Sequence, residues 1–173
     1  MNPLTLEIKK LTVDQSEELT LLLQSENKEY SKYFIPFSYD IETISGILFK
    51  AIKDKFFGLY VENELIGFYM LRGFDEGYSV PSYGVWISEK YSNKGLSTFT
   101  LQHAIAICKL NTIKKIMLKV HPDNIAAKKR EPFPFVNGEH YRFYLPFAAF
   151  EKDCPGEVLL CCRLNEQGVL VPD

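Results

Sequence analysis

Apolar and polar residues alternate over Leu4–Leu11, with Leu4, Leu6 and Ile8 set against Thr5, Glu7 and Lys9, and this period of two predicts a short strand. Over Val13–Gln24 the period becomes helical: Leu19, Leu22 and Leu23 share a side, and Thr12 or Asp14 can cap the start. Ser25–Tyr39 follows neither period and mixes aromatic with polar residues around Pro36, so it reads as an irregular connection. Asp40 then opens a second helical pattern, with Ile41, Ile44, Ile47, Leu48 and Ile52 on one side.

The clearest hairpin follows: apolar Phe56–Val61, a turn at Glu62-Asn63-Glu64, and apolar Leu65–Leu71. Gly73–Pro81 is a polar loop, and Tyr83–Ile87 is a short apolar strand that carries the single tryptophan, Trp86. After a polar loop at Tyr91–Gly95 comes a helix over Leu96–Leu110 whose apolar stripe is Leu101, Ala104, Ile105 and Cys108. Asn111-Thr112 ends it, Lys115–Val120 is another strand, and Pro122-Asp123-Asn124 marks a further helix entrance. Strands and helices alternate only in the later half, which predicts a mixed α/β sheet rather than an all-parallel one. His140–Phe150, Glu157–Leu164 and Val169–Val171 read as closing strands.

A length of 173 residues fits one domain, enough to hold a core without staples. The formal charge of −2 lacks the basic excess of a nucleic-acid binder. Locally, Lys109, Lys114, Lys115, Lys119, Lys128, Lys129 and Arg130 make a basic stretch suited to a solvated face or to a phosphorylated ligand. Cys108, Cys154, Cys161 and Cys162 match no zinc spacing, so no metal is expected and free thiols fit a reducing cytoplasm. No run approaches the roughly 20 apolar residues that cross a bilayer, and Met1–Lys10 lacks a signal-peptide core; a cytoplasmic protein without a membrane partner is the expectation.

Chemistry concentrates where the strand Tyr83–Ile87 runs through Ser88–Ser97 into a helix. A glycine turn at a helix N-terminus gathers backbone N–H groups and the positive end of the helix dipole around one point, which suits a phosphate or pyrophosphate. Gly95 permits close approach of a ligand to the backbone, Ser97 or Thr98 can add a hydroxyl, and Lys94 adds charge.

This unit resembles the acetyl-CoA loop of the GNAT superfamily of N-acetyltransferases, R/Q-x-x-G-x-G/A, here Ser92-Asn93-Lys94-Gly95-Leu96-Ser97. The middle glycine is present, whereas Ser92 and Ser97 replace the usual first and last residues. Val120–Ala127 is similar to the family's next motif, a strand end followed by an Asn-x-x-Ala helix, with Asn124 and Ala127 at that spacing; Ile66-Gly67 resembles a pair found in its central hairpin. The resemblance covers roughly residues 5–129. It implies a mostly antiparallel mixed sheet (α+β) flanked by helices and splayed between the fourth and fifth strands. Acetyl-CoA would be the cosubstrate, held by Asn93, Lys94, Gly95, Leu96, Ser97, Thr98 and Asn124, with Val85 and Ile87 pairing the pantetheine arm.

The implied reaction is attack of an amine on the thioester, which needs a base or a water chain. Asp75, Glu76, Tyr78, Ser82 and Tyr83 lie near the right strand ends; Glu76 is the first choice and Tyr83 the second catalytic candidate. His103 and His121 read as surface and loop positions.

The family pattern breaks after Lys129. The tyrosine that protonates the departing thiolate would fall at Glu131, Phe135-Val136 stands where a Gly-Phe is usual, and Pro132 and Pro134 would stop the helix. Residues 136–173 are then atypical C-terminal strands of the one domain 1–173, expected to pair as the closing hairpin.

For the acceptor, Tyr30, Tyr33, Phe34, Phe37 and Tyr39 offer either core packing or a flat face for a sugar or base. Met70–Tyr78 is similar to transferases acting on amino sugars of surface polysaccharides, which implies a small-molecule amine such as a nucleotide-linked amino sugar. A homodimer fits the resemblance. The competing readings are a CoA-binding domain with impaired catalysis and an interaction domain that uses its C-terminal segment.

Overall fold

The structure, a computed structural model, describes residues 5–120, 124–125, 141–146, 162–164 and 170–172. Its main sheet has six strands in sequence order: β1 Leu6–Lys10, β2 Lys55–Val61, β3 Glu64–Arg72, β4 Ser82–Ile87, β5 Lys115–Val120 and β6 Tyr141–Pro146. All neighbours are antiparallel except β4 and β5, which run parallel. The helices are α1 Ser16–Ser25, α2 Lys28–Ser31, α3 Ile41–Lys50 and α4 Leu96–Leu110.

The turn at Glu62-Asn63 has φ of 49° and 68° at its two residues. Such a left-handed pair matches the right-handed twist of a two-residue hairpin and so fixes the β2–β3 register. β3 is buried from Leu65 through Leu71, because helices cover both faces of the sheet. On one face Tyr69, Leu71, Tyr83 and Ile87 pack with Leu101, Ala104, Ile105 and Cys108 of α4, the stripe expected from the sequence. On the other, Phe68, Met70 and Trp86 pack with Leu19 and Leu23 of α1 and Ile44 and Leu48 of α3. Burying each such side chain stabilises by about 1.5–3 kcal/mol, which makes these two layers the main stabilising term.

Of the two cap positions expected for the first helix, Thr12 takes the place, and Asp40, where the second helical pattern opens, caps α3. Asp40 accepts a hydrogen bond from the Thr43 amide at 2.8 Å. The Thr12 amide donates to Gln15 Oε1 at 2.9 Å, but the helix there opens as a 3-10 turn over Val13–Gln15 before α1 begins. The stretch 25–39 is less irregular than expected, since α2 forms within it, its start capped by Asn27 Oδ1 accepting from Glu29.

One expectation needs correction. Ile41 and Ile52 do not join the buried stripe of α3: Ile41, at the first helical position, is 44% exposed, and Ile52, beyond the helix end at Lys50, is 84% exposed. β6 lies antiparallel to β5 from Lys115↔Pro146 to Val120↔Tyr141, while β7 Cys162–Leu164 and β8 Leu170–Pro172 pair with each other. Most of the expected 157–164 strand, and the turn before it, lies outside the described residues.

Candidate active site

β4 organises the site through the alternation of its backbone groups. Ser88 N–H donates to Ile66 O at 2.9 Å, and Phe68↔Trp86 and Met70↔Gly84 are partners in the same register, so the even-numbered residues of β4 exchange hydrogen bonds with β3. The odd-numbered residues therefore turn their N–H and C=O toward β5. Consistent with this, Pro81 O accepts from Met117 N–H at 2.8 Å. The β4–β5 ladder comprises only Ser82↔Met117 and Tyr83↔Leu118. Beyond Tyr83 the two parallel strands part, and Val85 and Ile87 face the opening. Ile87 O accepts from Tyr30 Oη at 2.6 Å. An open wedge edged by strand backbone beyond the last β4–β5 pair, where of the Ile87 groups the carbonyl is already taken by Tyr30, can hold an extended amide-bearing chain.

The wedge leads to the loop before α4. A short 3-10 turn over Glu89–Tyr91 delivers the chain to Asn93 at φ 58° and Gly95 at φ 78°. Phe99 N–H donates to Gly95 O at 3.0 Å as the first rung of α4, so the amides ahead of it belong to the open first turn of the helix. Asn93, Lys94, Gly95 and Thr98 are exposed, Leu96 and Ser97 half-buried. A Cβ added to Gly95 would meet nothing within 4 Å, and α4 has no acidic residue in its first turn. Exposed amides, free space at a left-handed glycine, a helix dipole and Lys94 together fit a pyrophosphate. Asn124, half-buried and just beyond β5, is the only residue of the expected downstream motif with a described side chain besides Ile125. His121, Ala127 and Glu131 lie outside the described residues.

Tyr83 is buried on the α4 face. Its hydroxyl shares a hydrogen bond with Thr100 Oγ1 at 2.8 Å, and Thr100 Oγ1 donates to Ser97 O at 2.9 Å. Tyr83 thus ties the first turn of α4 to β4 and holds the loop in place. Thr100, fully buried, escaped the sequence reading; a hydroxyl inside an apolar helix stripe was the available signal. Nearby, Tyr69 Oη and His103 Nδ1 share a hydrogen bond at 2.6 Å. His103 is thus half-buried and engaged rather than a plain surface residue, and burial lowers its pKa. Burial, with Tyr83 close by, raises that of Tyr69.

On the opposite face of the sheet a cavity of about 860 Å³ reaches the point where β4 and β5 stop pairing. Tyr33, Phe34, Met70, Gly84 and Met117 line its apolar side, and Arg72, Glu76 and Tyr78 its polar side. Gly84 leaves space for the end of the Met70 side chain: a Cβ would come within 2.5 Å of Met70 Cε, which would have to move, and within 3.5 Å of Phe34 Cε2. Of the early aromatics, Tyr30 packs edge-on against Trp86, and Phe34 and Phe37 against Phe68, so most of that segment is core; Tyr33 and Phe34 also form the cavity wall.

The acidic candidates divide. The Asp75 carboxylate accepts from the amides of Ile52, Lys53 and Asp54 at 2.9–3.1 Å, while Asp54 Oδ1 accepts from Phe74 and Asp75 at 2.8 and 3.2 Å. This reciprocal pair staples the 51–54 loop to the β3–β4 loop. The bond from the Lys53 amide is the chief cause holding the Asp75 carboxyl below its usual range. Glu76 is exposed on the cavity wall. Among the described residues, no three His, Cys, Asp or Glu side chains group as a metal set.

A sheet that splays at one parallel strand pair, with a glycine loop and helix N-terminus at one end of the wedge and a cavity at the other, is the arrangement of an acyl-CoA-dependent acyltransferase. The chain belongs to the GNAT acetyltransferase family, whose family model matches residues 19–130, and the family's acyl donor is acetyl-CoA. Solved structures agree in fold. The PaiA N-acetyltransferase from Thermoplasma acidophilum, in complex with coenzyme A, superposes with a TM-score of 0.63 at 19% identity, covering 80% of this chain and 96% of that one. RimL, a ribosomal-protein α-N-acetyltransferase in complex with coenzyme A, gives 0.61 at 18% identity over 72% and 75%. A GNAT acetyltransferase from Streptococcus pneumoniae gives 0.57 at 18% over 72% and 79%. No curated protein matches the sequence.

Proposed function

We propose that this acetyltransferase acetylates the primary amine of a small molecule, of the kind a nucleotide-linked amino sugar presents. The observation that carries this reading is the cavity. At about 860 Å³ it falls within the roughly 300–1,000 Å³ of small-molecule sites, and it ends where the β4–β5 wedge opens. Acetyl-CoA supplies the activated acyl thioester. The amides of Lys94–Thr98 would hold its pyrophosphate, and the Val85 and Ile87 backbone its pantetheine arm. An amide in the wedge can also donate to the thioester oxygen as charge builds there. Glu76, through a water, takes the proton from the incoming amine. Tyr83 acts by positioning the loop, since its hydroxyl is committed to Thr100.

A cytoplasmic setting is supported by the free thiol of Cys108, which burial pushes up to about 11 and so keeps unreactive. A second reading is a protein N-terminus as acceptor. Ile35 and Tyr78, 74% and 63% exposed at the cavity wall, give it an apolar rim that a peptide could cover. Thiol release from acetyl-CoA with amino sugars, polyamines and short peptides tests both. Turnover of amino sugars is expected; turnover of peptides alone selects the second reading. A melt stabilised by acetyl-CoA without turnover of any amine would mark a binding domain that has lost catalysis.

A further inference from the structure

Arg72 ends β3 on the face that carries Phe68 and Met70, and its guanidinium lies 6.0 Å from the centre of the Phe37 ring. It lines the cavity. Its Nε is buried and has no hydrogen-bond partner, and among the described residues no carboxylate forms an ion pair with it. The other charges on the cavity wall do not compensate. Lys32 is paired with Glu29 at 2.9 Å, and Glu76 is exposed and makes no ion pair with Arg72.

A guanidinium cannot shed its proton in a protein, so this charge persists however deeply it sits. Buried polar atoms without partners are rare in folded chains, and an arginine that lines a cavity with no carboxylate paired to it among the described residues can take its acceptor from a ligand. The planar fork of arginine matches a carboxylate or a phosphate. Phe37, whose ring centre lies 6.0 Å from the Arg72 Cζ, limits where that fork can move.

We infer that Arg72 receives an oxyanion, a carboxylate or a phosphate, borne by the amine that enters this cavity. This rests on reading the cavity as the acceptor side. It makes Arg72 a specificity-determining residue: the enzyme selects acidic amines over neutral ones of the same shape.

The test compares matched pairs, glucosamine against glucosamine 6-phosphate and β-alaninamide against β-alanine, by calorimetric binding with and without coenzyme A. The anionic member of at least one pair binds roughly 10- to 100-fold tighter, the range of a charge-assisted hydrogen-bonded pair. Which pair shows it separates phosphate from carboxylate. Arg72→Met keeps the stem over Phe37 and removes the preference; Arg72→Lys, which keeps charge but not the fork, restores part of it. Equal affinities within both pairs, or a preference that survives Arg72→Met, would overturn the inference. The melt shift with acetyl-CoA is read on the same samples. Its absence beside an intact anion preference refutes the CoA assignment of the loop and leaves the anion site standing.

Discussion

Gly95→Ala separates folding from cofactor binding. Gly95 sits at φ 78°, where an L-residue is strained by roughly 1–2 kcal/mol. Nothing else opposes the methyl, since no atom lies within 4 Å of where it would go. For a domain of this size each kcal/mol is worth roughly 2–4 °C, so the apo protein melts about 2–8 °C lower and still folds. The open space that spares the fold is the space a pyrophosphate needs. At 100 Kd, acetyl-CoA stabilises the wild type by about 2.7 kcal/mol; a roughly 30-fold loss of affinity at the same concentration leaves about 0.9 kcal/mol. A melt with and without ligand reads both numbers, and the variant's ligand shift falls to about a third of the wild type's. Gly67→Ala is the contrast, because its Cβ would lie 2.6 Å from Trp86 O and 3.1 Å from Ile87 Cα, both backbone, and the β3–β4 pairing would have to move. Retention of the full acetyl-CoA shift in Gly95→Ala would refute the cradle.

Two further outcomes are expected. Neighbouring acids on the β3–β4 loop behave oppositely: Asp75→Ala strands three amides, lowers Tm and leaves kcat per folded molecule nearly unchanged, while Glu76→Gln keeps Tm and lowers kcat by roughly 10²-fold or more; steady-state rates beside melts check the pair, and an unchanged kcat in Glu76→Gln removes it as base. For pH, hydrogen bonds from Ser38 and from the Thr43 amide and hydroxyl hold the Asp40 carboxyl down at about 2, and Asp75 is likewise lowered by backbone amides. Their folded pKa values lie below the unfolded ones, so the unfolded chain binds protons first as pH falls. Stability from both is complete above about pH 4, the ordinary carboxylate range, and is lost toward pH 2; in Asp40→Asn the acid-induced fall in Tm over that window is shallower.

Much of this fold is legible in the sequence because its elements are locally coded. The α4 bounds and stripe follow from helical spacing, and β5 from an apolar run between turn residues. The turn residues Glu62 and Asn63 mark the hairpin although neither is glycine. The loop at Gly95 is readable only through its context, because a single glycine before a helix marks any helix entrance, and the hairpin, the Trp86 strand and Asn124 around it are what set it apart. What escapes is whatever depends on contacts distant in sequence. The acid pair Asp54 and Asp75, 21 residues apart, looks like two solvated loop acids until the loops meet. Tyr83 looks like a strand tyrosine near the chemistry, and only packing against α4 shows its hydroxyl taken by Thr100. Arg72 stands at a strand end, and its surroundings are decided by the 32–37 segment, far off in sequence, that lines the same cavity and brings Phe37 beside it.

The two halves of the site are set by one register. Because β4 alternates, its odd residues give backbone to the wedge and side chains to α4, while its even residues pair with β3 and turn their side chains toward the cavity face. A slip of one residue would exchange every role at once. Gly84 opposes that slip, because it stands against Met70 and Phe34, where even a Cβ would displace the Met70 methyl and a larger side chain would meet both residues. Shifting β4 by one would press Val85 or Tyr83 against Met70 and Phe34, and would leave Gly84 as a hole in the layer beneath α4. The cost of overpacking on one face and of a cavity on the other acts in the same direction. The packing that walls the cavity, the proposed acceptor side, therefore also fixes which amides of β4 face the wedge. Substitutions at Gly84 should accordingly disturb cofactor and acceptor binding together, although the residue touches only the cavity.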